Sequence, residues 1–210
     1  MPYDLEEQEK LAELKTWWEQ YGTFVAGVLA VAAIALAGWQ GWRIWQDRQA
    51  QQAGGLYEAL LRASQAGDAK ALRDAAGALL EDYPGTLYAS LGALTSASFQ
   101  FRRGDLKNAR AQLRWVLERS PSAELRDLAR LRLAAVLLDE GSPDEALKLL
   151  DAPHAAPYAA QYAALKGDVL VAKRQSAQAK AAYRLALEKA DARNDAFRAS
   201  VQMRLDALGG

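Results

Sequence analysis

His154 is the only imidazole in a chain of 210 residues that contains no Cys. One imidazole can serve as a general base or as a single metal ligand, but it cannot build a His-rich metal site. The absence of thiols excludes a disulfide framework, a Cys-ligated zinc, an iron–sulfur cluster and a thiol nucleophile. His154 stands in the run Ala152-Pro153-His154-Ala155-Ala156-Pro157, which reads as a turn between helices and places it at a loop position. The carboxylate pairs Asp139/Glu140 and Glu81/Asp82 lie beside turns, as solvated helix ends do. Gly54-Gly55 forms no phosphate-binding motif, and Arg102-Arg103 is too short a basic patch for a nucleic-acid footprint. The expectation is a protein without cofactor, metal, small-molecule substrate or nucleic-acid partner, and not an enzyme.

The residues with a recognisable physical task are the aromatic ones. Trp17, Trp18 and Tyr21 stand at one end of an uncharged stretch from Gln20 to Trp42, and Trp39, Trp42 and Trp45 stand at the other. As a helix those 23 residues rise about 34 Å, enough to cross a hydrocarbon core of about 30 Å. Trp18 and Trp39 are then about 31 Å apart, the spacing of two interfacial aromatic belts. Five of the six Trp serve this pattern, which makes a lipid bilayer the first expected partner. A buried core helix has no reason to bracket itself with Trp. A cleaved signal peptide is the other rival, since Ala35-Leu36-Ala37 resembles a cleavage site, but the acidic start lacks the basic region such peptides need.

The formal net charge is zero, with 26 basic and 26 acidic residues. Residues 1–19 hold six acidic residues (Asp4, Glu6, Glu7, Glu9, Glu13, Glu19) against Lys10 and Lys15, so neutrality is −4 before the span and +4 after it. Basic residues close to the span number two on each side (Lys10, Lys15; Arg43, Arg48), so the positive-inside rule leaves orientation open. Small residues at four-residue spacing (Gly22, Ala26, Ala30; Ala33, Ala37, Gly41) would let another membrane helix approach. The organisation expected is an acidic segment over 1–20, a transmembrane helix over 21–45, a polar linker over 46–55 that either loops or continues the membrane helix, and a folded domain over 56–210.

That domain should be all-α. The chain has 45 Ala and 32 Leu against 14 Val, Ile and Thr together, a helix-forming and strand-poor composition. Gly67, Gly104 and Gly141 recur every 37 residues, and Pro84 and Pro121 each follow a Gly by 17. A mid-thirties period with a Gly turn inside each helix pair is the signature of tetratricopeptide-like repeats. Ala109, Ala146 and Ala179 hold the small position where paired helices touch, Leu72 replaces it in the first unit, and Gly167 stands at the small position of the fourth unit's first helix. Ser142 and Pro143 should open one helix as N-cap and first-turn residue. The fourth turn, Arg174-Gln175-Ser176, lacks its Gly. Phe197, Val201, Leu205 and Leu208 form the apolar stripe of a capping helix. About four helix pairs plus the cap are expected. The first helix of each pair would line an inner groove, with Tyr57, Leu61, Leu94, Ser98, Phe101, Arg102, Leu131 and Leu138 as its candidate partner-binding residues.

The start Tyr3-Asp4-Leu5-Glu6-Glu7-Gln8-Glu9, the run Leu14-Lys15-Thr16-Trp17-Trp18, the exit Gly41-Trp42-Arg43-Ile44-Trp45 and the ending Gln202-Met203-Arg204-Leu205 together resemble the ancillary subunit family of the bacterial SecYEG translocon. The resemblance implies an inner-membrane protein with a cytoplasmic N-terminus and a periplasmic tetratricopeptide-like domain. It also implies association with SecYEG and with a membrane-anchored periplasmic chaperone of the prolyl-isomerase type, in a non-catalytic role that links export to periplasmic chaperones. A repeat scaffold for another envelope machine, in cytochrome maturation or outer-membrane assembly, is the alternative. A membrane-bound enzyme would need a convergent polar pocket that the sequence does not present. An intact-mass measurement on the membrane-extracted protein should find residues 1–37 retained; their loss would replace the anchor with a signal peptide.

Overall fold

A computed structural model describes the backbone of residues 3–209 and the side chains of residues 10–209. The acidic side chains Asp4, Glu6, Glu7 and Glu9 of the opening segment therefore lie outside the described residues. Among the described residues the chain is all-α, as its composition requires. It divides into two units, residues 1–48 and 49–210.

The first unit consists of the N-terminal part of helix α1 (Tyr3–Ala66). α1 is the one helix among the described residues long and apolar enough to cross a membrane. Its apolar stretch is almost wholly exposed, with Phe24, Val31 and Ile34 at 72%, 67% and 73%. The core helix of a soluble protein would bury these side chains, so that competing reading falls.

The second unit begins with the C-terminal part of α1. The polar segment 46–55 is helical throughout, so of the two expected readings it follows the continued helix and not the loop. Gly54-Gly55 weakens a helix by propensity, but packing outweighs propensity here. Ala53 is fully buried, and the Tyr88 ring lies where a Cβ on Gly54 would be 3.5 Å from its Cζ.

After α1 come α2 (Ala69–Asp82), α3 (Leu87–Arg102), α4 (Leu106–Arg119), α5 (Ala123–Asp139), α6 (Pro143–Leu150), α7 (Ala159–Ala172), α8 (Ser176–Lys189) and α9 (Asp195–Asp206). The end of α1 with α2 makes the first pair, followed by α3/α4, α5/α6 and α7/α8, with α9 packed on α8. Four turns inside these pairs are built alike. Gly67, Gly104 and Gly141 adopt left-handed φ of 72°, 78° and 75°. In each turn the following residue's N–H reaches back five residues: Asp68 N–H to Ala63 O at 2.9 Å, Asp105 to Gln100 at 2.9 Å and Ser142 to Leu137 at 2.8 Å. This is the Schellman closure, which satisfies carbonyls the helix end leaves free.

The fourth turn keeps the geometry without the glycine. Arg174 has φ 59°, and Gln175 N–H donates to Leu170 O at 2.9 Å. The surrounding helices impose a conformation that costs a residue with a Cβ about 1 kcal/mol.

The residue after each turn opens the next helix. Asp68 accepts from the N–H groups of Lys70 and Ala71, and Asp105 accepts from Asn108 N–H. Ser142 occupies the N-cap position but its hydroxyl makes no capping bond, contrary to expectation. Pro143, at the first helical position, supplies the start instead.

Ala109, Ala146 and Ala179 are fully buried at the contacts between paired helices, and Leu72 holds the equivalent place in the first pair at 1% exposure. Gly167 on α7 meets α8 so closely that an added Cβ would overlap the Tyr183 ring. One apolar core runs through α3 to α7. A second joins α7, α8 and α9, where Val201 and Leu205 are buried and Phe197 and Leu208 pack beside them.

Two substitutions test the turn geometry. Gly104→Ala should destabilise the chain by about 1 kcal/mol, because a Cβ is introduced at positive φ. Arg174→Gly should stabilise it by about 0.5 kcal/mol, since the arginine side chain is exposed and no contact is lost. Thermal melts of the detergent-solubilised protein should move in opposite directions for the two variants.

Candidate partner-binding face

The face that first helices share between repeats carries a concavity. A cavity of about 200 Å³ lies between α3 and α5 with α4 at its floor. Ala97, Ser98 and Phe101 come from α3, Leu113 from α4, and Arg132, Ala135 and Val136 from α5. Small residues at 97 and 135 keep the helices' facing surfaces recessed, and Phe101, 37% exposed, forms an apolar wall. At the rim, Arg102 Nη1 donates to Ser98 Oγ at 2.9 Å. Arg132 is different: among the described residues it forms no ion pair and no hydrogen bond. Arg132 is exposed overall, but burial of part of its side chain holds its guanidinium below the usual arginine range, opposed by the Tyr158 phenol.

The residues expected in the groove separate in the structure. Ser98 and Phe101 line the cavity, and Arg102 joins them through Ser98. Leu94 is 4% exposed and belongs to the core, while Leu131 and Leu138 are half-buried against it. Tyr57 and Leu61 are half-buried on α1, with the Tyr57 ring 5.8 Å from that of Tyr88. On α5 the cavity uses Arg132, Ala135 and Val136, a neighbouring face of the helix to that of Leu131 and Leu138. The 37-residue interval contained the signal, because Ser98 shifted by one repeat is Ala135.

A second polar cluster fixes the loop between α6 and α7. The Asp127 carboxylate on α5 accepts from Arg130 Nη1 at 2.6 Å and from Ala155 N–H at 2.8 Å. Arg130 also donates to Pro153 O at 3.2 Å, and Tyr162 Oη donates to Asp127 O at 2.7 Å. His154 stacks on the Tyr162 ring at 4.0 Å, with Nδ1 3.1 Å from Ala152 O. Burial pushes the Tyr162 phenol up, so it remains a donor. The imidazole of this chain is thus a wall of a structural latch. At the C-terminal end, Asp168 on α7 accepts from Tyr183 Oη on α8 and from Arg204 Nη1 on α9, both at 2.8 Å.

The six aromatic residues of the expected belts are exposed on α1: Trp17, Trp18 and Tyr21 toward its start, and Trp39, Trp42 and Trp45 further on. Trp17 packs against Tyr21 at 5.9 Å and Trp42 against Trp45 at 5.1 Å, while the Arg43 guanidinium lies 5.5 Å from the Trp39 ring. A guanidinium beside an indole suits a boundary between an apolar and a wet phase.

These features define an α-solenoid of helix pairs carried behind a single candidate membrane helix. Residues 15–210 match the family model described as tetratricopeptide repeat-like domain. The ancillary SecYEG translocon subunit of Neisseria gonorrhoeae (strain ATCC 700825 / FA 1090) is 31% identical over 209 residues, covering 99% of this chain and 100% of that one. The subunit of the same name from Haemophilus influenzae (strain ATCC 51907 / DSM 11121 / KW20 / Rd) is 30% identical over 183 residues, 87% of this chain and 89% of its own. That of Aggregatibacter actinomycetemcomitans is 30% identical over 208 residues, 99% and 100%. The chain belongs to the ancillary SecYEG translocon subunit family.

The latch makes a measurable prediction. Asp127→Ala leaves the Ala155 N–H without its acceptor and the Arg130 guanidinium with Pro153 O alone, without its counter-ion, and should cost about 2–3 kcal/mol. Tyr162→Phe, which removes one neutral hydrogen bond, should cost about 1 kcal/mol. Urea unfolding followed by circular dichroism should rank the two in that order.

Proposed function

We propose that this protein is a non-catalytic, single-span adaptor of the bacterial inner membrane that associates with the SecYEG translocon and links it to a membrane-anchored periplasmic chaperone of the prolyl-isomerase type. Residues 1–20 lie in the cytoplasm, 21–45 cross the bilayer with Trp17, Trp18, Tyr21, Trp39, Trp42 and Trp45 at its two interfaces, 46–55 connect, and 56–210 occupy the periplasm. The observation that carries the reading is similarity along essentially the whole chain, span and solenoid together, to proteins named ancillary SecYEG translocon subunit. A scaffold suits the rest: helix pairs stack into an extended surface, and such surfaces serve to hold other proteins. The inner face, with Tyr57, Leu61, Leu94, Ser98, Phe101, Arg102, Leu131 and Leu138 as its first candidates, is where the periplasmic partner docks, and within that set Ser98, Phe101 and Arg102 carry the contact.

Purification in mild detergent should recover SecYEG together with the chaperone. Photocrosslinkers at Ala26 or Ala30 in the span should capture a channel subunit, and one at Phe101 should capture the chaperone. Protease added to spheroplasts should digest the solenoid and spare the N-terminus. Failure to recover any channel subunit from both span positions overturns the translocon reading, and protection of the solenoid overturns the orientation.

A further inference from the structure

The cavity between α3 and α5 has two properties that together specify an occupant. Its volume, about 200 Å³, is below the roughly 300–1,000 Å³ of pockets that enclose small molecules. Its walls are Ala97, Phe101, Leu113, Ala135 and Val136, so it has room and lining for one large apolar side chain. An apolar occupant alone, however, would bring further desolvation to a cation that already lacks an anion. Arg132 sits in the wall of the same cavity without an ion pair or hydrogen bond among the described residues. Arg102, held by Ser98, brings a second guanidinium to the rim. Covering an unpaired guanidinium is unfavourable unless the covering surface supplies an acceptor, and a carboxylate supplies two in the fork geometry arginine prefers.

We propose that this cavity is the anchor site for a partner-protein segment in which a large apolar residue is followed directly by an acidic one, the apolar side chain entering between Phe101 and Ala135 and the carboxylate pairing with Arg132. The inference rests on the adaptor reading only in taking this face as one that binds protein. It assigns the chemistry of the partner segment, and it makes Arg132 and Ala135 the specificity-determining residues. Buried anchors of this kind carry most of the energy of an interface, and a flanking charge pair sets which sequences are accepted.

The test uses the full chain in lipid nanodiscs and fluorescein-labelled peptides read by anisotropy. The probes are acetyl-Gly-Gly-Phe-Glu-Gly-Gly, its Phe-Lys counterpart and its Ala-Glu counterpart, at up to about 1 mM. The Phe-Glu peptide should bind at least tenfold more tightly than either counterpart. Ala135→Trp, which fills the cavity from α5, and Ser98→Leu, which fills it from α3, should each weaken binding at least tenfold, and melting curves report whether each variant is folded. Arg132→Gln should leave Phe binding in place and abolish the preference for Glu over Lys. No binding above empty nanodiscs, equal binding of the Phe-Lys peptide, or binding unaffected by both filling variants would overturn the site. These outcomes separate from those of the adaptor reading. SecYEG recovered with a chain that shows no peptide preference sinks the anchor site alone, whereas peptide preference in a chain that recovers no SecYEG sinks the translocon reading alone.

Discussion

Two helices that meet at an alanine lie closer together than two that meet at a leucine, and the layout of residues 49–210 follows from that distance. Ala109, Ala146 and Ala179 are each fully buried where the second helix of a pair rests on the first. At the last pair the demand is stricter still, because Gly167 leaves room for the Tyr183 ring where even a methyl group would collide. Close approach requires a short turn, and the short turn requires a left-handed residue to reverse the chain. Three times that residue is Gly; the fourth time Arg174 is forced into the same conformation. Packing therefore sets the backbone, and the backbone sets which residue types the turn prefers.

The same hierarchy explains what could be read from the residue order. The candidate membrane helix was legible because hydropathy and Trp placement are local signals, and Phe24, Val31 and Ile34 do remain exposed. The turns at Gly67, Gly104 and Gly141 were legible because punctuation recurs at a fixed interval. The capping helix was legible because Val201 and Leu205 sit on one stripe. What escaped was non-local. Nothing near Asp127 announces that its carboxylate holds a loop 28 residues away through Ala155 N–H. The helical path of 46–55 was legible only as one of two readings, because Gly54 and Gly55 argue locally for a break, while the Tyr88 ring that covers Gly54 lies more than thirty residues downstream.

The groove shows a subtler limit. The register of the repeats placed Leu131 and Leu138 on the inner face of α5, as it placed Ser98 and Arg102 on that of α3. Large apolar side chains are what a core recruits, and both pack against the core. The recessed surface is made instead by small residues, Ala97 and Ala135, with a cation beside them. A concavity is a deficit of side-chain volume, so it appears in a sequence as an alanine, the residue least noticed in a chain with 45 of them.

The polar tie among Asp168, Tyr183 and Arg204 has a meaning beyond the strength of its bonds. A stack of helix pairs is a one-dimensional polymer, and the exposed flank of its last pair is a template for the next. Another molecule could supply that next unit, and head-to-tail contacts of this sort propagate into open filaments. Proteins confined to one membrane plane meet at high local concentration, which makes uncontrolled growth a particular hazard. By fastening α9 over α7 and α8, Asp168 and Arg204 cover that flank, so the fourth pair does not present it bare as a template.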